Sequence, residues 1–149
     1  MRGLRLLVCF LVFAGAGSAA AATRIVKVLP HLLDEQGRHA LSPSLYERDA
    51  YQAYLRKNPA KCFGLRFDIQ WKAKAADSQA LKLRIEFLGS KEAKPFVLEQ
   101  PVRRRHSFGR WSSLTLKGDD FKKVGDLVAW RATLWAGDQI LAEQKSFLW

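Results

Sequence analysis

Phe63-Gly64-Leu65-Arg66-Phe67-Asp68-Ile69-Gln70-Trp71-Lys72-Ala73-Lys74 is the stretch that decides the fold class. Phe63, Leu65, Phe67, Ile69, Trp71 and Ala73 alternate with Gly64, Arg66, Asp68, Gln70, Lys72 and Lys74. A period of two over this length means a strand with one buried and one solvated face. Leu81 to Phe87 repeats the pattern, with Leu81, Leu83, Ile85 and Phe87 inward and Lys82, Arg84 and Glu86 outward. The polar connection Ala75–Ala80 between them predicts that the two strands pair as an antiparallel hairpin. Both outer faces carry both signs of charge, as a solvated sheet face does.

Working outward, shorter strands fill the rest of the chain. Ile25 to Leu29 is a β-branched opening strand expected to end at Pro30, and Phe96 to Gln100 is expected to end at Pro101. Trp111 to Lys117 places Leu114 and Leu116 inward before Gly118-Asp119-Asp120. There the chain is expected to turn a corner between sheets, plugged by Phe121 and Val124. Leu127 to Trp135 directs Val128, Trp130, Ala132 and Leu134 to the core and Arg131, Thr133 and Trp135 away from it. Trp135 is expected to be covered by the helix described next. Ala136-Gly137-Asp138-Gln139 turns the chain into a last strand, Ile140 to Trp149, whose change of apolar parity predicts a bulge near Gln144-Lys145.

One helix, about 43–57, is expected after the first strand. Ser42-Pro43-Ser44-Leu45 supplies a cap with proline at its first turn, Ser44 and Glu47 have capping-box spacing, and Asn58-Pro59 stops it. Tyr46, Ala50, Ala53 and Tyr54, with Tyr51 and Leu55 alongside, predict the face that covers the sheets. Seven or so short strands with turn-rich connections fit a mainly β fold, an immunoglobulin- or fibronectin-III-like antiparallel β-sandwich.

Residues 1–22 read as a secretory signal peptide. Arg2 and Arg5 form its positive start, Leu6–Phe13 its apolar centre, and Ser18–Ala22 its small-residue cleavage region, with cleavage after Ala22 or Ala20. The apolar run is shorter than the about 20 residues a membrane span needs. Residues 23–149 are then expected to form one β-sandwich domain in the periplasm or outside the cell, with no membrane span left. Removing the signal takes Arg2, Arg5 and Cys9, so the net charge falls from +11 to +9 and Cys62 stands alone. Without an internal disulfide, the fold must rest on its core. Cys62 is expected to be a buried, inert thiol at the start of a strand.

The composition, 48% hydrophobic and 26% charged, excludes a disordered chain, and the two cysteines exclude a disulfide-stapled miniprotein. The motifs exclude more. There is no nucleophile elbow, phosphate loop or dinucleotide-binding turn. His31, His39 and His106 lie far apart without ligand spacing, so no metal, cofactor or catalytic residues are expected. Asp119-Asp120 reads as a turn rather than a catalytic pair.

The exceptional segment is Arg103-Arg104-Arg105-His106-Ser107-Phe108-Gly109-Arg110-Trp111. Residues 103–110 hold four arginines and no acid. Guanidinium groups bind phosphate, sulfate or carboxylate bidentately, and the neighbouring aromatic rings stack on planar or sugar groups. Arg103, Arg104, Arg105, Arg110 and Trp111 are therefore the candidate contacts for a partner protein or an anionic envelope polymer. Export argues against nucleic acid. A small outer-membrane β-barrel, suggested by alternating strands and Phe147-x-Trp149, and an enzyme without a recognisable motif are the competing readings.

Three segments carry a family resemblance. The export signal, Leu41-Ser42-Pro43-Ser44-Leu45-Tyr46-Glu47-Arg48-Asp49-Ala50-Tyr51-Gln52, Leu65–Lys72 and the ending Glu143–Trp149 resemble a group of uncharacterised exported bacterial proteins. The resemblance implies export. It carries no activity and no site residues.

Overall fold

The computed structural model describes residues 23–73, 80–103 and 110–149. The segment read as an export signal lies outside the described residues. The fold is mainly β, with strands β1 (Arg24–Leu33), β2 (Gly64–Lys72), β3 (Leu81–Gly89), β4 (Phe96–Val102), β5 (Arg110–Lys117), β6 (Leu127–Ala136) and β7 (Gln139–Lys145). Helices α1 (Leu45–Lys57) and α2 (Gly118–Val124) complete it, with one 3-10 turn at Pro59–Lys61. The strands form two antiparallel sheets, β1-β2-β5 and β4-β3-β6-β7.

The inward residues of the two alternating strands are as expected. Phe67, Ile69 and Trp71 of β2 and Leu83, Ile85 and Phe87 of β3 are buried in one shared core. The expected hairpin between them does not form. β2 pairs with β1 and β5, whereas β3 pairs with β4 and β6. The two strands instead face each other across the core, where the Phe67 and Phe87 rings lie 5.0 Å apart. Burying side chains of this size stabilises the fold by about 2–3 kcal/mol each. Phe63, expected inside, is 44% exposed: it precedes β2, and its N–H donates to the Leu33 carbonyl.

Both strand-ending prolines lie inside their strands. β1 continues through Pro30 to Leu33, and β4 continues through Pro101 to Val102. Each strand is the edge of its sheet, where proline's missing N–H costs no ladder hydrogen bond. In β6, Gly89 pairs with Leu127 and Leu88 with Ala129. Val128 is thus the extra residue of a bulge, which leaves it 45% exposed rather than in the core. The bulge in β7 lies at Leu141, between the pairs Leu134–Ala142 and Trp135–Ile140, and not near Gln144. β7 ends at Lys145, and Phe147 beyond it is fully exposed.

The corner between sheets is a helix. Asp119 and Asp120 occupy the first turn of α2 rather than a turn of coil, and pair with Lys122 and Lys123 one turn later at 2.9 and 2.7 Å. Val124 is fully buried and Phe121 packs against the core, so both plug the corner as expected.

Helix α1 starts one residue after its cap: Ser44 Oγ accepts the Glu47 N–H, and Pro43 precedes the cap instead of occupying the first turn. Its covering face is not the aromatic stripe. Tyr46 is 83% exposed, and the inward positions are Arg48, Tyr51, Gln52 and Leu55. Gln52 explains the shift. Its Oε1 accepts the Leu32 N–H at 2.8 Å, and its Nε2 donates to the carbonyls of Leu32 at 2.9 Å and His39 at 2.8 Å. The buried amide thus completes the edge of β1 as a neighbouring strand would, which an apolar side chain cannot do.

Candidate functional site

Strand pairing builds a basic end on the β1-β2-β5 sheet. In its outer face Arg24 lies opposite Lys72, and Lys27, Gln70 and Trp111 form the next row across β1, β2 and β5. Arg110 pairs with Trp71 at the same end, and Arg103 leaves β4 beside it. Arg110 Nη1 donates to the Arg103 carbonyl, tying the two ends of the arginine loop together. Trp111 is 50% exposed. Arg104 and Arg105 lie outside the described residues. Of the five expected contacts, the described ones, Arg103, Arg110 and Trp111, stand at one end of the fold.

None of Arg24, Lys27, Lys72, Arg103 and Arg110 pairs with a carboxylate among the described residues. The outer face of the other sheet is the contrast. There Lys82 and Arg84 meet Glu99 at 3.1 and 3.5 Å, Arg84 meets Glu86 at 3.0 Å, and Arg131 meets Glu143 at 2.6 Å. That face neutralises itself. The basic end places like charges opposite one another, which is unfavourable in a bare sheet. An anion laid across it removes that repulsion.

Sequence reasoning missed Arg24, Lys27 and Lys72. They are scattered along the chain, and only the β1-β2 register brings them together at the end of the sheet where β5 begins with Arg110 and Trp111. The signal was their outward parity in alternating strands.

Further along the same outer face, towards α1, lies a polar cluster that was also missed. Arg66 Nη2 and Nε reach Asp68 Oδ2 at 2.8 and 3.1 Å, and Ser113 Oγ donates to Asp68 Oδ1. His31 Nε2 is 3.5 Å from Asp68 Oδ2, and the His31 and His39 rings lie 5.0 Å apart. Arg66 Nη2 also lies 3.0 Å from His39 Nδ1. His39 Nε2 lies 3.3 Å from the same Arg66 nitrogen, and because a guanidinium only donates, the ring nitrogen that carries no proton is the acceptor. Burial pushes His31 down to about 4, against the pull of Asp68 and with the push of His39, Arg48 and Arg66. Burial and the Arg66 charge lower His39 as well. Ser113 bonds the carboxylate and not an imidazole, so these residues do not form a nucleophile–base pair. His106 lies outside the described residues.

Comparison with protein-family models, with curated proteins and with solved structures returns no match for this chain. Its functional reading rests on its own geometry.

Among the described residues no group of three His, Cys, Asp or Glu side chains is placed to hold a metal ion. Cys62 is half-buried just before β2, its Sγ 3.3 Å from the Leu55 carbonyl, and burial raises its thiol pKa. A thiol held protonated is a poor nucleophile. Among the described residues no helix is long and apolar enough to cross a membrane. Trp135 is half-buried on the outer face of its sheet without the helix covering expected of it. Its indole N–H donates to Thr133 Oγ1 at 2.8 Å, and Lys82 lies over its ring.

Proposed function

We propose that the chain is an exported immunoglobulin-like β-sandwich that binds an anionic polymer of the cell envelope through its basic end. The observation that carries this reading is that Arg24, Lys27 and Lys72 share an outer sheet face with the half-exposed Trp111, that Arg103 and Arg110 lie at the same end, and that none of the five pairs with a carboxylate among the described residues. Guanidinium groups grip sulfate, phosphate or carboxylate, and the indole face stacks on a sugar ring. The dispersed geometry suits a repeating chain of charges better than one small anion.

The fold reading is supported by the strand order. A three-stranded sheet of the first, second and fifth strands and a four-stranded one of the third, fourth, sixth and seventh, both antiparallel and sharing one core, supports reading the fold as a sandwich of the immunoglobulin or fibronectin-III kind. The inward burial of Phe67, Phe87 and Leu134 between two open sheets favours a sandwich over a lipid-facing barrel, which would turn its apolar residues outward. Export rests on Arg2 and Arg5, the apolar run Leu6–Phe13 and the small residues Ser18–Ala22.

Replacing Arg103, Arg104, Arg105 and Arg110 together by Ser tests the function. The wild-type protein is expected to bind a heparin column and to elute at a salt concentration that falls clearly in the variant, because surface ion contacts weaken steeply with ionic strength. Unchanged elution, with an unchanged melting temperature, would sink the proposal.

A further inference from the structure

At the end of the β1-β2-β5 sheet opposite Arg24, Lys72 and Arg110, a cleft of about 740 Å³ opens between α1 and α2. Its floor is Leu32 and Leu65, a cross-strand pair of β1 and β2 that faces the space between the sheets. Leu55 and Cys62 form the wall on the α1 side, and Phe121 and Leu127 the wall on the α2 side. This volume and apolar lining are those of a small-molecule site.

The rim is cationic. Arg56 Nε leans on the Gln52 carbonyl at 3.4 Å, and Lys91 Nζ on the Lys122 carbonyl at 3.0 Å. Neither has a carboxylate partner among the described residues. Lys122, also at the rim, is neutralised by Asp119, and Asp126 is the one acid among the lining residues. Two anchored cations therefore outweigh one acid above an apolar floor.

We infer that this cleft binds a single-chain aliphatic carboxylate, its chain over Leu32 and Leu65 and its head between Arg56 and Lys91. The chain removes apolar surface from water at about 25 cal/mol per Å². The guanidinium of Arg56 matches the planar carboxylate in two parallel hydrogen bonds. This site is separate from the basic end, so either can fail without the other.

Dodecanoate is the probe, titrated by calorimetry into wild-type protein, with dodecyltrimethylammonium and acetate as controls. Cys62, in the cleft wall, reports occupancy through its rate of reaction with a disulfide reagent. Saturable dodecanoate binding that slows this reaction several-fold is expected, with the cationic amphiphile and acetate both weaker by about tenfold or more. Arg56→Gln with Lys91→Gln, both exposed positions, should weaken dodecanoate by about tenfold or more without changing the melting temperature. Leu127→Trp, which fills the cleft, should abolish protection of Cys62. Equal binding of the cationic and anionic amphiphiles, binding that leaves the Cys62 rate unchanged, or no binding would each overturn the assignment.

Discussion

Gly89→Ala is expected to cost about 3 kcal/mol, enough to lower the melting temperature by about 10 °C. Gly89 ends β3 and is buried against the last turn of α2. A Cβ there would lie 2.0 Å from the Val124 carbonyl oxygen, 2.7 Å from its carbon and 2.8 Å from Val124 Cγ1. The obstacle is backbone, and Val124 itself is fully buried as the plug of the corner between sheets, so it has nowhere to move. Relief requires α2 to lift from β3 and expose Val124 and Phe121. Gly118→Ala is the control. Gly118 has φ +68° with nothing within 4 Å of an added Cβ, so only its backbone conformation resists, at about 1 kcal/mol. Urea unfolding of both variants checks the ranking. A Gly89→Ala midpoint equal to that of Gly118→Ala would contradict the close packing of α2 on β3.

The second large effect is acid sensitivity. His31 sits between α1 and the outer face of β1-β2-β5, with Asp68 and Arg66 from β2, His39 from the following loop and Arg48 from α1 around it. Asp34 is nearby but occupied: burial raises its carboxyl, and hydrogen bonds from Tyr51 and from the backbone and side chain of Arg38 outweigh this and hold it below its ordinary value. Asp68 is already matched by Arg66, so a protonated His31 would add a buried charge beside two arginines. His31 has a folded pKa of about 4 against an ordinary 6.5. Between those values the unfolded chain binds the proton and the folded chain does not. Stability is therefore fully present above about pH 6.5 and is lost as pH falls towards 4, by up to about 3 kcal/mol from this residue. His39, lowered for the same reason, acts in the same direction, whereas Asp34 contributes only at lower pH. Urea unfolding at pH 7 and pH 4.5 should show this loss in wild type and a clearly smaller one in His31→Gln, which keeps a donor towards Asp68. Equal losses in the two proteins would remove His31 as the cause.

The inward residues of β2 and β3 were legible because alternation is a local property of the chain, whereas in β6 the bulge at Val128 broke it, leaving Val128 exposed and Thr133 buried. Their partners were not. Phe67 and Phe87 show the same parity whether their strands pair side by side or face each other across a core, and a short polar connection serves either arrangement. The ends of α1 could be read from Ser44 and Asn58, which cap the backbone locally. Its buried face could not, because Gln52 earns its place by bonding the edge of β1, a requirement set by a residue twenty positions away. Pro30 and Pro101 misled for a related reason: proline stops a central strand but not an edge, and edges are defined only by the finished sheet.

The candidate site divides the same way. The arginine run announces itself, whereas Arg24, Lys27 and Lys72 come to the end of the sheet that holds Arg110 and Trp111 only through the β1-β2 register, and His31 and His39 meet only once β1 and its following loop fold over Arg66. What distinguishes the basic end is less the number of its charges than that none of them pairs with a carboxylate among the described residues, in contrast to the self-neutralised face built from Lys82, Arg84, Glu99 and Arg131.

Amide chemical-shift mapping of the protein during titration with a heparin oligosaccharide tests the binding claim most directly. Perturbations are expected at Arg24, Lys27, Lys72, Arg103, Arg110 and Trp111, disappearing as salt is raised. Perturbations confined to the α1 and α2 end, or none at all, would contradict it.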